Sequence, residues 1–284
     1  MRHIWLIKFA LVCIFLLALV KMPCLAASAS GAVPASQAQL TEITNRGRLL
    51  AEYEKAGTRA IKALGKAFPK ALKDGSFTHV LPNKSDSGWT VSFGTLIDRG
   101  DTFNVAYEAI EEKGSKKYKV RKCKPGTGDK GVLLGEARAT IAAFAAFPRK
   151  ARKNNYAILP TDNHNFYVYI YPAQAVADLF PFGDDIRFKI SADGFKILEA
   201  RRMHRSLIQN KKPSLKNPPA MGVHIAVMAD EPEDTDVMHV LVRKPSMGEM
   251  IATPHFVYKI ETDGSIKYLG TIEKVLKKKK SKMS

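Results

Sequence analysis

Cysteine is scarce, with three in 284 residues, which excludes a disulfide-stapled scaffold. Acidic side chains are outnumbered, 27 Asp and Glu against 45 Lys and Arg, for a formal charge of +18. The glycines have no collagen period, and a long apolar run occurs once, near the start, so collagen-like and multipass membrane classes are excluded. With 45% apolar and 25% charged residues, the chain can bury a core and is not of the disordered class. Motifs that commit a sequence to one reaction are also missing. There is no G-x-S-x-G elbow, no H-E-x-x-H, no S-x-x-K with its partners and no Walker A loop. No catalytic residue is assigned, and the sequence leans away from an enzyme.

What is present begins with an export signal over residues 1–29. Arg2 and Lys8 give the positive start, and Phe9 to Val20 is an apolar run of 12 residues, short for a membrane helix. Ala27-Ser28-Ala29 is an A-x-A cleavage site, with cleavage after Ala26 or retention as an anchor as alternatives. Met22-Pro23 before Cys24 is not a lipoprotein pattern. Cleavage removes Arg2, Lys8 and Lys21, leaving +15, and removes Cys13 and Cys24, leaving Cys123 alone. The expected setting is periplasmic or secreted, with no transmembrane segment after cleavage.

Residues 30–39 read as a flexible linker. Ile43, Leu50, Tyr53, Ile61, Leu64 and Phe68 recur near helical spacing, and Pro69 ends the pattern. A second helix is expected from Gly135 to Phe147, with Ile141, Phe144 and Ala145 inward and Pro148 as its stop. Alternating or β-branched runs predict strands at Trp89–Ile97, Phe103–Ile110, Tyr118–Cys123, Phe166–Tyr171, Ile186–Ser191 and Phe195–Ala200. More strands follow at His224–Ala229, Val237–Arg243, His255–Glu261 and Ser265–Ile272, with Asp193-Gly194 and Asp263-Gly264 as hairpin turns.

The order repeats. Ala67-Phe68-Pro69-Lys70, Val80-Leu81-Pro82 and Gly100-Asp101 return as Ala146-Phe147-Pro148-Arg149, Ile158-Leu159-Pro160 and Gly183-Asp184, at offsets of 79, 78 and 83 residues. The implied unit is an amphipathic helix on an antiparallel meander. A third segment from His224 repeats the strands, with Glu199 to Gln209 as a candidate for its helix. The fold class expected is α+β, antiparallel β-meanders each packed by an amphipathic helix, with a possible internal duplication. The units are 40–130 and 131–272, the second with a basic Pro-rich loop at 209–222, followed by a basic tail at 273–284.

Several patterns touch on chemistry. Gly126-x-Gly128-x-x-Gly131 matches a dinucleotide loop, but Lys124-Pro125 intervene and the neighbouring strands read as antiparallel, so a flexible loop is expected. Cys123 lies among Arg121, Lys122 and Lys124, which would favour a thiolate, against the plainer reading of a strand-end residue. His224, His239 and His255 each open a predicted strand. Pairing 224–229 with 237–242 as a hairpin sends His224 and His239 to opposite faces, so no metal site is assigned. Asp230, Glu231, Glu233, Asp234 and Asp236 lack the glycine and final glutamate of an EF-hand, and with Pro232 they predict an exposed hairpin loop. Asp98, Asp101 and Glu108 remain unpaired candidate carboxylates. No cofactor is expected.

The strongest binding signal is the tail. Lys274, Lys277, Lys278, Lys279, Lys280 and Lys282 put six cations in the last 11 residues, suited to an anionic phospholipid, lipopolysaccharide or wall polymer. No nucleic-acid reading module is present, so no specific nucleic-acid partner is expected.

From Tyr156 onward, Ile158-Leu159-Pro160, Phe166-Tyr167-Val168-Tyr169, Gly183-Asp184-Asp185-Ile186-Arg187-Phe188, Asp193-Gly194, Asp236-Val237-Met238-His239-Val240-Leu241 and Phe256-Val257-Tyr258 carry a resemblance. Over roughly residues 156–272 the chain resembles uncharacterised exported proteins of Gram-negative bacteria. That resemblance implies an envelope or secreted setting and no known activity. The function expected is an exported, non-enzymatic binding or interaction module for a protein partner or an anionic envelope surface. The alternative is a hydrolase with its site near the C-terminal histidine-bearing strands.

Overall fold

A computed structural model describes residues 31–148, 152–175, 180–208 and 221–280, the side chains of 278–280 excepted. The export signal, most of the 209–222 loop and the last four residues lie outside the described residues. Helix α1 (Gln37–Ala67) opens on a reciprocal cap. The Ser36 hydroxyl accepts from the Gln39 N–H at 3.3 Å, and the Gln39 side chain accepts from the Ser36 N–H at 2.8 Å. Its buried stripe runs through Leu40, Ile43, Gly47, Leu50, Tyr53, Ala56, Ala60 and Leu64, and it ends before Pro69. Ile61, expected inward, is exposed; Ala60 holds that turn of the stripe, and the next residue is rotated about 100° away.

Strands β1 (His79–Ser85), β2 (Gly88–Ile97), β3 (Thr102–Glu111) and β4 (Tyr118–Lys122) form an antiparallel meander, with β5 (Gly128–Asp129) added to β3. Helix α2 (Val132–Ala146) leads into a second meander, β6 (Asn154–Pro160), β7 (Phe166–Pro172), β9 (Ile186–Ile190) and β10 (Ile197–Arg202). The short β8 (Phe182–Gly183) pairs with β11 (Leu207–Ile208). The third sheet holds β12 (Gly222–Ile225), β13 (Glu249–Ala252), β14 (Phe256–Ile260) and β15 (Ile266–Thr271). β12 and β13 are parallel, joined through helix α3 (Asp234–Val242), and α4 (Ile272–Lys280) follows β15. The molecule is therefore α+β, and its first two sheets share one connectivity of a helix followed by four antiparallel strands. Both Asp-Gly hairpins form, β9 to β10 and β14 to β15. No helix among the described residues is long and apolar enough to cross a membrane.

Three expectations fail for one shared reason: packing overrode the local pattern. Val237–Arg243, expected as a strand, is mostly helix α3, because Asp236 turns back to accept from the Glu233 N–H at 2.7 Å and starts a helix that packs on α1. Of Glu199–Gln209, a candidate third helix, residues 199–208 instead run through β10 and β11, and Gln209 lies outside the described residues. Helix α2 turns Ala137, Thr140 and Ala143 inward while Ile141, Phe144 and Ala145 face out. It approaches the second sheet too closely for bulk. A Cβ on Gly135 would meet the Ala192 carbonyl at 2.4 Å.

The second sheet is buried on both faces. Ala157, Leu159, Tyr169 and Tyr171 pack with α1 and with Trp89, Phe93 and Tyr107 of the first sheet. The alternate residues Ile158, Phe166, Val168 and Ile170 pack with α2, Leu81 and Phe103. Each cluster joins residues from both sides of Lys130. A third cluster seats Leu40 and Ile43 against α3 and the third sheet.

Candidate functional site

The lysine tail continues as α4. Ile272 and Val275 are half-buried, while Lys274, Lys277 and Leu276 are exposed. The backbone of Lys278, Lys279 and Lys280 stays helical, and Lys282 lies outside the described residues.

Other candidates resolve into local structure. Asp129 Oδ1 accepts from the Gly131 and Leu134 N–H groups at 2.9 and 3.1 Å, so the glycine loop caps α2 with its own carboxylate where a phosphate would sit. Burial pushes the Cys123 thiol up, Glu108 adds to the rise, and Arg121 opposes it. The thiolate is thereby disfavoured and the plainer strand-end reading favoured, because Arg121 Nε is spent on Glu108 at 2.8 Å. Asp101 pairs with Arg138 at 2.9 Å, and His255 with Asp230 at 2.7 Å near the surface.

The acidic run is not an exposed hairpin. Glu233, Asp234 and Asp236 are buried at the start of α3, each matched by a partner from a distant element. Asp234 receives Arg46 and Arg187 at 3.0 Å each and the Tyr169 hydroxyl at 2.8 Å. Glu233 receives Arg201 at 2.8 Å. Burying a carboxylate is tolerable only with such partners, and the partners lie 32 to 188 residues away in sequence.

Beside this run, α3 faces a cluster of imidazoles. His204 follows β10, His224 lies on β12, and Asp236 and His239 lie one helical turn apart on α3. On β12 the alternation turns Val223 and Ile225 outward and His224 inward. The Phe182 ring touches all three imidazoles, at centroid distances of 4.7, 4.9 and 4.5 Å from His204, His224 and His239. His204 Nδ1 meets Asp185 at 2.8 Å, and His224 Nδ1 meets Glu249 at 3.2 Å. Glu249 is held in turn by Arg243 at 2.5 Å. The other ring nitrogens, His204 Nε2 and His224 Nε2, both approach Asp236 Oδ1, at 2.9 and 3.4 Å. Neither approach has hydrogen-bond alignment, and all three atoms are buried. The three groups offer two nitrogens and one oxygen, all within 4.8 Å of one another, which is the donor set of a transition-metal site.

The electrostatics are strongly coupled. Burial works against a charged His204, but Asp185 and Asp236 outweigh it and hold its pKa well above the ordinary value. Burial would raise Asp236, yet His204 and His224 keep it low. Burial, aided by Arg243, lowers His239 to about 4, so it is neutral, and neither of its ring nitrogens has a partner. The arrangement can bind a cation. It does not present its groups to a substrate, since His204, His224, Asp236 and His239 are each 7% exposed or less.

The predicted opposite orientation of His224 and His239 is overturned because α3 replaces the supposed hairpin strand. His204, one of six histidines beyond residue 29, is not among the three that open a predicted strand. Its only available signal was the company of Asp185 and the Asp236/His239 spacing of one helical turn. Compared with family models, curated proteins and solved structures, the chain matches none.

Proposed function

We propose that this chain is an exported, non-enzymatic binding module that adheres to an anionic envelope surface through its C-terminal cationic helix. Helix α4 carries the reading. Its half-buried Ile272 and Val275 sit against the body while Lys274, Lys277 and Leu276 face solvent, so cations and an apolar side chain share the exposed surface. Each Lys near an anionic bilayer contributes about 1 kcal/mol, and a group of six reaches useful affinity at moderate salt. The burial of the histidine cluster favours binding over hydrolysis, because its titratable groups are each 7% exposed or less. The sequence of residues 1–29 supports export.

The test is co-sedimentation with vesicles containing phosphatidylglycerol, compared with neutral vesicles. Binding is expected to be salt-sensitive and to fall when residues 274–284 are deleted. Equal binding by the full and shortened chains would sink the reading.

A further inference from the structure

We propose that His204, His224 and Asp236 bind a divalent transition-metal ion, zinc by chemical preference, at a buried site with three protein ligands that lies between the second meander, α3 and the third sheet.

The hydrogen-bond directions give the first argument. Asp185 and Glu249 each lie on the Nδ1 side of a histidine, at 2.8 and 3.2 Å, which places the ring proton there when the imidazole is neutral. Each Nε2 then carries a lone pair beside Asp236 Oδ1 but off the hydrogen-bonding line, so three acceptor atoms crowd one buried spot with no proton between them. One proton on His204 relieves one of the two contacts and leaves His224 Nε2 facing Asp236. A divalent cation satisfies all three atoms at once.

Distances agree. Ligand atoms about 2.0–2.1 Å from a tetrahedral zinc ion stand about 3.3 Å from each other. The two observed approaches are 2.9 and 3.4 Å. The surroundings also match those of metal-ligating histidines, whose second ring nitrogen donates to a carboxylate that fixes the ring. Both rings have such a partner, and Arg243 fixes Glu249. Charge points the same way. With both imidazoles neutral, as metal ligation requires, Asp185, Asp236 and Glu249 exceed Arg243 by two negative charges, which one divalent ion balances. With no sulfur donor among the three ligands, the nitrogen and oxygen set suits zinc better than copper(I) or an iron–sulfur cluster.

The site brings together the end of β10, β12 and α3. The experiment uses the full chain, stripped with a chelator and titrated with zinc, with cobalt(II) as the visible probe. One zinc per chain, a rise in melting temperature that saturates at that ratio, and the d–d absorption of a low-symmetry cobalt site are expected. His224→Gln should abolish stoichiometric binding. Glu249→Gln, which leaves all three ligands in place, should weaken zinc about 10- to 100-fold. His255→Gln, at the exposed Asp230 pair, should bind as the parent does. If His224→Gln does not fold, the parent titration and Glu249→Gln still decide. A folded parent chain that takes up no stoichiometric zinc overturns the proposal, as does unchanged affinity in Glu249→Gln.

Discussion

Glu136 sits on the inward face of α2, 3% exposed, with one hydrogen bond from Asn83 Nδ2 at 3.0 Å. Burial pushes its pKa from 4.5 up to about 7; Asn83 opposes the rise and Asp129 adds to it. The folded chain therefore holds this proton more tightly than the unfolded chain. Its contribution to stability is full below about pH 4.5 and is lost as pH rises through about 7. Glu136→Gln, neutral throughout, should match the parent at pH 4 and exceed it at pH 8 by about 3 kcal/mol. Urea unfolding at the two pH values checks this, and an equal difference at both would contradict it. The sequence shows Glu136 only as one acid in an Ala-rich helix. Its burial depends on Asn83, 53 residues earlier.

At the scale of elements, the contact of α1 with α3 turns on Gly47. A Cβ there would stand 2.4 Å from Val237 Cβ and 2.6 Å from the Asp234 carbonyl. Alanine gains about 1 kcal/mol of helix propensity over glycine. The clash involves backbone and a branched side chain, and forcing two packed helices apart costs more than that gain. Gly47→Ala should destabilise the protein by about 2 kcal/mol net, read as a lower denaturant midpoint. This contact also explains why α3 was hard to read. Asp-Val-Met-His-Val-Leu-Val is rich in β-branched residues, and only its fit against α1 and its acidic first turn select a helix. On the inward face of α2 bulk does not mark burial, because close approach demands alanine and glycine there. By contrast α1 is legible in its long stripe, Ile61 excepted, and in Pro69 beyond its end, but not at its start, where Gln37–Gln39 of the expected linker are helical behind the Ser36 cap.

Across the whole molecule, the two largest apolar clusters mix residues from before and after Lys130. A fragment of residues 34–130 would leave Trp89, Phe93, Tyr107 and Phe103 without the strands that cover them. It should lack a cooperative thermal transition and dispersed amide signals, and a well-folded fragment would refute this. By itself the sequence determined the α+β class, the order of helix and meander in the first two units, the Asp-Gly hairpins and the cationic end. Those features rest on local periodicity and on residues with restricted backbones, so neighbours in sequence suffice to specify them. Only the tertiary structure decided that α3 is a helix, that the acidic run is buried against arginines, and that His204, His224 and Asp236 meet. Burial of charge depends on partners tens to hundreds of residues away, and no local pattern records where such partners come to lie.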